Sequence, residues 1–173
     1  MTKKKSLAWL NCSEEELTLH LRSLIHGGAD GKSVTFQNMI VFLEGEMGSG
    51  KSTFARVLLT ELVPGFSSQG SPTFPLVQEY SARDHSPIYH IDLYRLKNSS
   101  ELEDSGILHQ IEEAGALALV EWPDLFPEVF SYWRDIKLSS SSVRGKKVLE
   151  VLITPSSVDS ERRNYTLSSW IEF

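Results

Sequence analysis

Two short stretches of the chain are continuously apolar. The first, Met39–Leu43, ends a longer predicted strand over 33–43, and the second is Ala116–Val120. Strands that are buried on both faces of a parallel sheet carry such unbroken apolar runs, whereas half-exposed strands alternate. The pattern therefore predicts that both segments lie in the middle of a parallel sheet.

Local patterns predict helices at three places in the chain. The segment Ser13–Glu16 has the pattern of a capping box, leucines recur behind it at helical spacing, and Gly27–Gly28 ends the helix. A second helix is predicted from the apolar face that runs from Phe54 to Leu62, ending near Pro64–Gly65. A further capping box, Ser100–Glu103, predicts a third helix that continues towards position 114.

The remaining apolar patterns predict shorter strands. They cover 73–80, 87–94, 135–138 and 147–153, with a serine-rich turn over 139–142. The tail over 154–173 receives no assignment. Strands and helices that alternate in this way predict one α/β domain over 1–173, with a mixed sheet flanked by helices.

Composition narrows the possible partners. The chain has 173 residues, of which 40% are apolar and 23% charged, and its formal net charge is −6. Because an acidic protein is repelled by phosphate backbones, autonomous binding of nucleic acid is disfavoured. The single Cys12 excludes an internal disulfide. The apolar stretch Leu7–Leu10 is too short for a signal peptide or a membrane span, so we expect a cytoplasmic protein without a membrane partner.

The strongest chemical signal is the motif G-x-x-x-x-G-K-[ST], which occupies Gly45–Ser52 between a predicted strand and a predicted helix. Its glycines let backbone N–H groups point inward as an anion nest, and the helix that starts near Lys51 adds a partial positive charge. Lys51 reaches the β- and γ-phosphates, and the Ser52 hydroxyl ligates Mg²⁺. The sequence thus predicts a P-loop NTPase-like domain that binds Mg²⁺ and ATP. The predicted nucleotide-binding residues are Gly45, Met47, Gly48, Ser49, Gly50, Lys51, Ser52 and Thr53.

Two acidic residues follow predicted strands. Asp92 comes after Ile88–Ile91, and Glu121 ends the run Ala116–Val120. In open α/β sheets, ligands bind at the carboxyl ends of strands, and Mg²⁺-ATP chemistry needs carboxylates near the metal. Both carboxylates are candidate metal ligands, although a solvated strand end would look the same. His90 shares a strand face with Asp92, where a packed histidine is favoured over a metal pair.

One hydroxyl lies where a switch residue is expected. Thr73 belongs to the first long loop after the predicted P-loop helix. GTPases place a threonine that senses the γ-phosphate in such a loop. An ordinary turn that starts a strand has the same composition, so both interpretations stay open. The candidate catalytic set is Lys51, Asp92 and Thr73.

These residues together resemble one family, the bacterial tRNA threonylcarbamoyladenosine biosynthesis ATPase TsaE. The likeness covers about residues 13–153. The blocks that carry it, in order, are Gly45–Thr53, Ser71–Phe74, His90–Leu96, Glu101–Leu102, Gly106–Ile107 and Leu119–Pro123. A P-loop alone is generic, whereas the Asp-Leu-Tyr-Arg-Leu and Val-Glu-Trp-Pro blocks at this separation are specific.

The resemblance implies roles for particular residues. Ser52 and Glu121 are expected to ligate Mg²⁺, Asp92 to have a Walker-B-like role as a metal ligand or base, and Thr73 to lie in a switch-like loop. Glu15 aligns loosely with a position that lines the adenine pocket.

The resemblance also places Gly145–Lys146 where the family often has Gly-Arg near the nucleotide. Lysine in place of arginine is expected to weaken that contact.

The resemblance further implies partners. The family works with TsaB and TsaD, a complex that transfers a threonylcarbamoyl group to an adenosine of tRNA. The ATPase is expected to act as a nucleotide switch, slow when alone, that meets tRNA only indirectly through the complex.

Other activities remain open alternatives. A small P-loop metabolite kinase would need paired arginines over the phosphates, and Arg162–Arg163 is the only doublet. A GTPase is disfavoured because no Asn/Thr-Lys-x-Asp block is present. A nucleotide-gated binding module without turnover is the remaining possibility.

Overall fold

The computed structural model describes residues 4–29, 31–67, 76–134 and 146–169. The strands are β1 Lys5–Cys12, β2 Met39–Glu44, β3 Val77–Ser81, β4 Pro87–Asp92, β5 Leu117–Glu121, β6 Lys147–Pro155 and β7 Arg163–Ser169. The helices are α1 Glu14–His26, α2 Lys51–Leu62, α3 Ser99–Asp104, α4 Ile107–Glu112 and α5 Pro127–Arg134, with a 3-10 turn at Pro123–Leu125. No helix in these described ranges is both long and apolar enough to cross a bilayer.

All these strands form one mixed sheet in the order β1-β7-β6-β2-β5-β4-β3. The central strands β6, β2, β5 and β4 run parallel, and β1, β7 and β3 are antiparallel to their neighbours. The prediction of an α/β domain with a mixed sheet flanked by helices is confirmed. The carboxyl ends of β2, β4 and β5 meet at one edge of the sheet, which is where ligands bind in such folds.

Helices cover both faces of this sheet. Successive residues of β2 point into different cores: Met39, Val41 and Leu43 pack with α1 and α2, and Ile40 and Phe42 pack with α3, α4 and α5. A strand that contributes to two cores has no polar face, because successive side chains point to opposite sides. This explains the continuous apolar run that predicted a buried strand.

The first helix begins as predicted. The Ser13 hydroxyl accepts a hydrogen bond from the Glu16 backbone N–H, and the Glu16 carboxylate accepts one from the Ser13 N–H. The strand after it is shorter than the predicted 33–43, since β2 starts at Met39. Asn38 has a left-handed backbone with φ of 56°, which interrupts the extended conformation just before the strand.

The third predicted helix is wrong in its cap and its length. Asn98, not Ser100, caps α3, accepting a hydrogen bond from the Glu101 N–H at 2.9 Å. The helix stops at Asp104 because Gly106 adopts a left-handed φ of 77°, and α4 starts directly after it. Two short helices therefore replace the single one.

Three elements were not predicted at all: β1, α5 and β7. The two strands pair with each other, and β7 also pairs with β6, so they extend the sheet beyond its parallel centre. The tail that received no assignment thus holds the end of β6 and all of β7. The predicted strand over 135–138 and the turn over 139–142 lie outside the described residues, as does the first part of the predicted strand 73–80.

Candidate functional site

The glycine-rich loop Gly45–Ser52 joins the carboxyl end of β2 to the first turn of α2. Inside it, the Ser49 N–H donates to the Glu46 carbonyl at 3.1 Å and closes a tight turn. Gly50, with φ of 107°, precedes the helix and provides no side-chain cap. The first N–H groups of a helix lack partners within the helix, so this end of α2 suits an anion.

The first glycine of the loop faces the neighbouring strand β6. Gly45 has φ of 144°, and a Cβ atom there would lie 2.3 Å from the Ile153 carbonyl oxygen and 2.6 Å from Ser49 Oγ. No other residue fits at this position without moving backbone. Gly48 also has a positive φ, of 74°, but a Cβ atom there would meet nothing within 4 Å.

Lys51 folds back over the loop. Its Nζ donates to the carbonyl oxygens of Gly45 at 2.6 Å and Glu46 at 2.9 Å, and lies 3.5 Å from the centroid of the Trp122 ring. Burial lowers the pKa of Lys51, while the nearby carboxylates, of which Glu121 has the largest effect, oppose that shift. The carbonyl oxygens of Gly45 and Glu46 thus hold the ammonium against the loop, and phosphate oxygens can replace them as its hydrogen-bond partners.

A buried chain of polar groups lies beside the loop. Ser52 Oγ donates to Glu121 Oε2 at 3.0 Å, and Glu121 Oε1 lies 2.7 Å from His90 Nε2. Glu121 and His90 are only 2% and 3% exposed. His90 is therefore the packed histidine that the sequence favoured, and it holds one oxygen of Glu121 while the other faces Ser52.

Asp92 lies next to Glu121, because the two residues are paired in register between β4 and β5. Its Oδ1 accepts a hydrogen bond from the Tyr94 N–H at 3.0 Å. Both carboxylates border a cavity of about 330 Å³. The cavity is lined by Met47, Gly48, Gly50, Lys51, Ser52, Thr53, Asp92, Tyr94, Glu121 and Trp122.

The donors in this cavity fit a magnesium ion. Ser52, Glu121 and Asp92 offer one hydroxyl and two carboxylates, all oxygen ligands. Mg²⁺ binds through one or two carboxylates while keeping waters and substrate phosphates, so it needs no cage built wholly from protein. In the part of the chain that the structure describes, no group of three or more His, Cys, Asp or Glu residues could form such a cage.

Other predicted site residues lie elsewhere. Glu15 is exposed in the first turn of α1 and is not among the residues that line the cavity. Thr73 and Gly145 lie outside the described residues. The predicted nucleotide contact of Lys146 is wrong: its Nζ donates to the Ala116 carbonyl at 2.7 Å, at the amino end of the parallel strands and opposite the phosphate loop.

Sequence reasoning missed two residues at the site. Trp122 is half-buried, has a left-handed φ of 64°, and contacts Lys51 and Tyr94 with its ring. Arg163 was left in the unassigned tail, yet its Nε donates to the Ser49 carbonyl at 2.9 Å. The Val-Glu-Trp-Pro block contains the first residue and the arginine doublet contains the second, but neither pattern predicts these contacts.

Comparisons with known proteins identify the family of the chain. The family model described as threonylcarbamoyl adenosine biosynthesis protein TsaE matches residues 14–148. The tRNA threonylcarbamoyladenosine biosynthesis protein TsaE of Rickettsia bellii is 42% identical over 90 residues, which are 51% of this chain and 59% of that protein. The protein of the same name from Haemophilus influenzae is 34% identical over 130 residues, which are 66% of this chain and 78% of that protein.

The matched region therefore spans only part of some relatives, 52% of the Rickettsia conorii protein for example. A solved structure gives a longer match. The crystal structure of Bacillus subtilis YdiB superimposes with a TM-score of 0.60 at 21% identity, covering 99% of this chain and 90% of that one. At this identity the superposition establishes the shared fold.

Proposed function

The chain belongs to the TsaE family of threonylcarbamoyl adenosine biosynthesis proteins, and from this premise we propose that it is an Mg²⁺-dependent ATPase subunit that serves tRNA threonylcarbamoyladenosine modification. The observation that carries the proposal is the convergence of Lys51, Ser52 and Glu121 on one cavity at the carboxyl edge of the sheet. Backbone donors, an ammonium, a hydroxyl and a buried carboxylate are the groups that a metal-bound triphosphate needs.

Phosphate binding falls to the loop and to Lys51. The N–H groups of the loop and of the first turn of α2 donate to phosphate oxygens, and the partial charge of the helix favours the anion. Lys51 exchanges its two carbonyl partners for β- and γ-phosphate oxygens. Because the ammonium already lies at the loop, little reorganisation is needed when the nucleotide arrives.

Ser52 and Glu121 would hold Mg²⁺, with Asp92 as a further ligand or through water. When bound, the ion neutralises charge on the phosphates. His90 keeps Glu121 in place by its hydrogen bond to Oε1, which leaves Oε2 directed at Ser52. In this proposal Asp92, which lines the cavity, accepts a proton from the attacking water or orients it. Thr73 remains a predicted switch residue.

Hydrolysis by the chain alone should be slow. In the described residues, no arginine lines the cavity, and an arginine supplied by a partner raises the rates of such sites by about 10³–10⁵. We propose that proteins of the TsaB and TsaD type provide this stimulation. Because the chain has a net charge of −6, contact with tRNA would come through that complex.

The test measures ATP hydrolysis by the protein alone, with purified TsaB and TsaD, and with tRNA added. We expect slow turnover alone and a large stimulation by the pair, lost in Glu121→Ala but not in Arg22→Ala, a variant of an exposed arginine that pairs with Glu61. Phosphate transfer to a small metabolite without any response to the pair would replace this function by a metabolite kinase.

A further inference from the structure

The arginine doublet at the start of β7 has no part in the function proposed above. Its two members point to different places. Arg163 Nε donates to the Ser49 carbonyl of the phosphate loop at 2.9 Å. Arg162 turns the other way, donating from Nε to the Asn11 carbonyl at 2.6 Å and pairing with the Glu16 carboxylate. Neither arginine is a lid over the phosphates, and only one touches the loop.

Arg163 is held firmly in this position. Its backbone pairs with Pro155 of β6 on one side and with Cys12 of β1 on the other. Its Nη1 donates to the carbonyls of Ser160 at 2.6 Å and Arg162 at 2.8 Å, which orients the guanidinium. Since the planar fork of arginine is fixed by these bonds, Nε is directed at one carbonyl oxygen only.

The bonded carbonyl belongs to the same peptide unit as the N–H of Gly50, a residue that lines the cavity beside the loop. The Ser49 C=O and the Gly50 N–H share one rigid plane. Gly50, at φ of 107°, has no side chain to restrict it, so this plane needs an external contact to fix its orientation. A cation on the carbonyl oxygen also polarises the unit and strengthens its N–H as a donor.

We propose that Arg163 is a positioning residue of the phosphate site. It acts through the Ser49–Gly50 peptide, keeping the Gly50 N–H directed at the polyphosphate and raising its strength as a donor. The inference rests on the proposed function insofar as it requires a polyphosphate ligand. The chemical class it concerns is the triphosphate group and not the base.

The probe is Mg²⁺ with inorganic tripolyphosphate, titrated by calorimetry, because it lacks the base and ribose. Arg163→Ala should bind it about tenfold more weakly, as expected for loss of one charge-assisted hydrogen bond. Arg162→Ala, the matched neighbour, should stay within about twofold of wild type. Arg163→Lys restores the charge without the fork and should recover part of the affinity.

A second readout separates positioning from general destabilisation. In ¹⁵N-labelled protein, the Gly50 amide resonance should shift upfield in Arg163→Ala and stay in place in Arg162→Ala. Thermal melting shows whether both alanine variants are folded. If Arg163→Ala does not fold, the binding and resonance measurements are made on Arg163→Lys instead.

Each outcome decides one question. A wild-type protein that binds neither tripolyphosphate nor ATP overturns the proposed function itself. If wild type and Arg163→Ala bind tripolyphosphate equally well, the function stands and the positioning role is wrong. Equal losses of affinity in Arg163→Ala and Arg162→Ala, in proportion to their melting temperatures, would also overturn it, because they would show a structural effect only.

Discussion

Replacing Gly45 by alanine should be far more damaging than making the same change at Gly48. Both glycines have positive φ, 144° at Gly45 and 74° at Gly48, and such backbone strain costs an alanine about 1–3 kcal/mol. Only at Gly45 does the new methyl group meet backbone, the Ile153 carbonyl oxygen at 2.3 Å. Relief requires β2 or β6 to move, and overpacking of this kind costs about a further 1–3 kcal/mol.

The difference between the two variants is therefore about 1–3 kcal/mol. For a domain of this size it corresponds to a melting temperature about 2–12 °C lower for Gly45→Ala than for Gly48→Ala. Circular dichroism melting and urea unfolding measure it, with m-values compared to check that both transitions are two-state. Gly65→Ala is the control for positive φ alone, because its φ is 66° and a Cβ atom there meets nothing within 4 Å.

The reasoning fails if Gly45→Ala melts at the same temperature as Gly48→Ala and Gly65→Ala. That result would mean that the loop can leave β6 without cost, and that the close contact does not shape the phosphate site. A melting temperature lower for Gly48→Ala than for Gly45→Ala would contradict it in the same way.

Three further predictions concern charged side chains. Lys51→Ala should lose about 2–4 kcal/mol of ATP affinity, because the ammonium makes charge-assisted bonds to phosphate, and calorimetry showing wild-type affinity would contradict this. Glu121→Ala and Asp92→Ala should keep the fold but lose Mg²⁺-dependent hydrolysis, measured by phosphate release, and activity that survives in both would exclude them as metal-binding groups. Burial lowers the pKa of Lys146 to about 8, so the unfolded chain binds more protons above that pH. The contribution of Lys146 to the free energy of unfolding should thus rise by about 1–2 kcal/mol from pH 8 to 9.5. Urea unfolding measures it as the difference in pH dependence between wild type and Lys146→Met, and an equal pH dependence in both would refute this origin.

Local patterns predicted much of the phosphate side of the site. The loop, Lys51 and Ser52 follow from one motif, and the apolar runs before Glu44 and Glu121 identified two central strands. The helix α1 could be predicted because its capping box depends on residues that are close in sequence.

Contacts between distant segments could not be predicted in this way. The bond of His90 to Glu121 depends on β4 and β5 being neighbours in the sheet. The amino-acid sequence of a single strand does not predict which strand lies next to it. The bond of Arg163 to Ser49 joins residues 114 positions apart. The strands β1 and β7, which lie outside the parallel centre of the sheet, lack the unbroken five-residue apolar runs that identified β2 and β5. The left-handed turn at Trp122 has no glycine or asparagine to indicate it.

The contact of the phosphate loop with β6 and β7 has a consequence for biosynthesis. A ribosome adds about 5–20 residues per second, so the loop is made roughly 6–24 s before the strands that enclose it. During that interval the nascent chain carries the whole nucleotide-binding motif, but Gly45 lacks the carbonyl of Ile153 and Ser49 lacks the guanidinium of Arg163. Polyphosphate should therefore bind weakly to ribosome-bound chains that stop before β6, and tightly only after β7 has emerged.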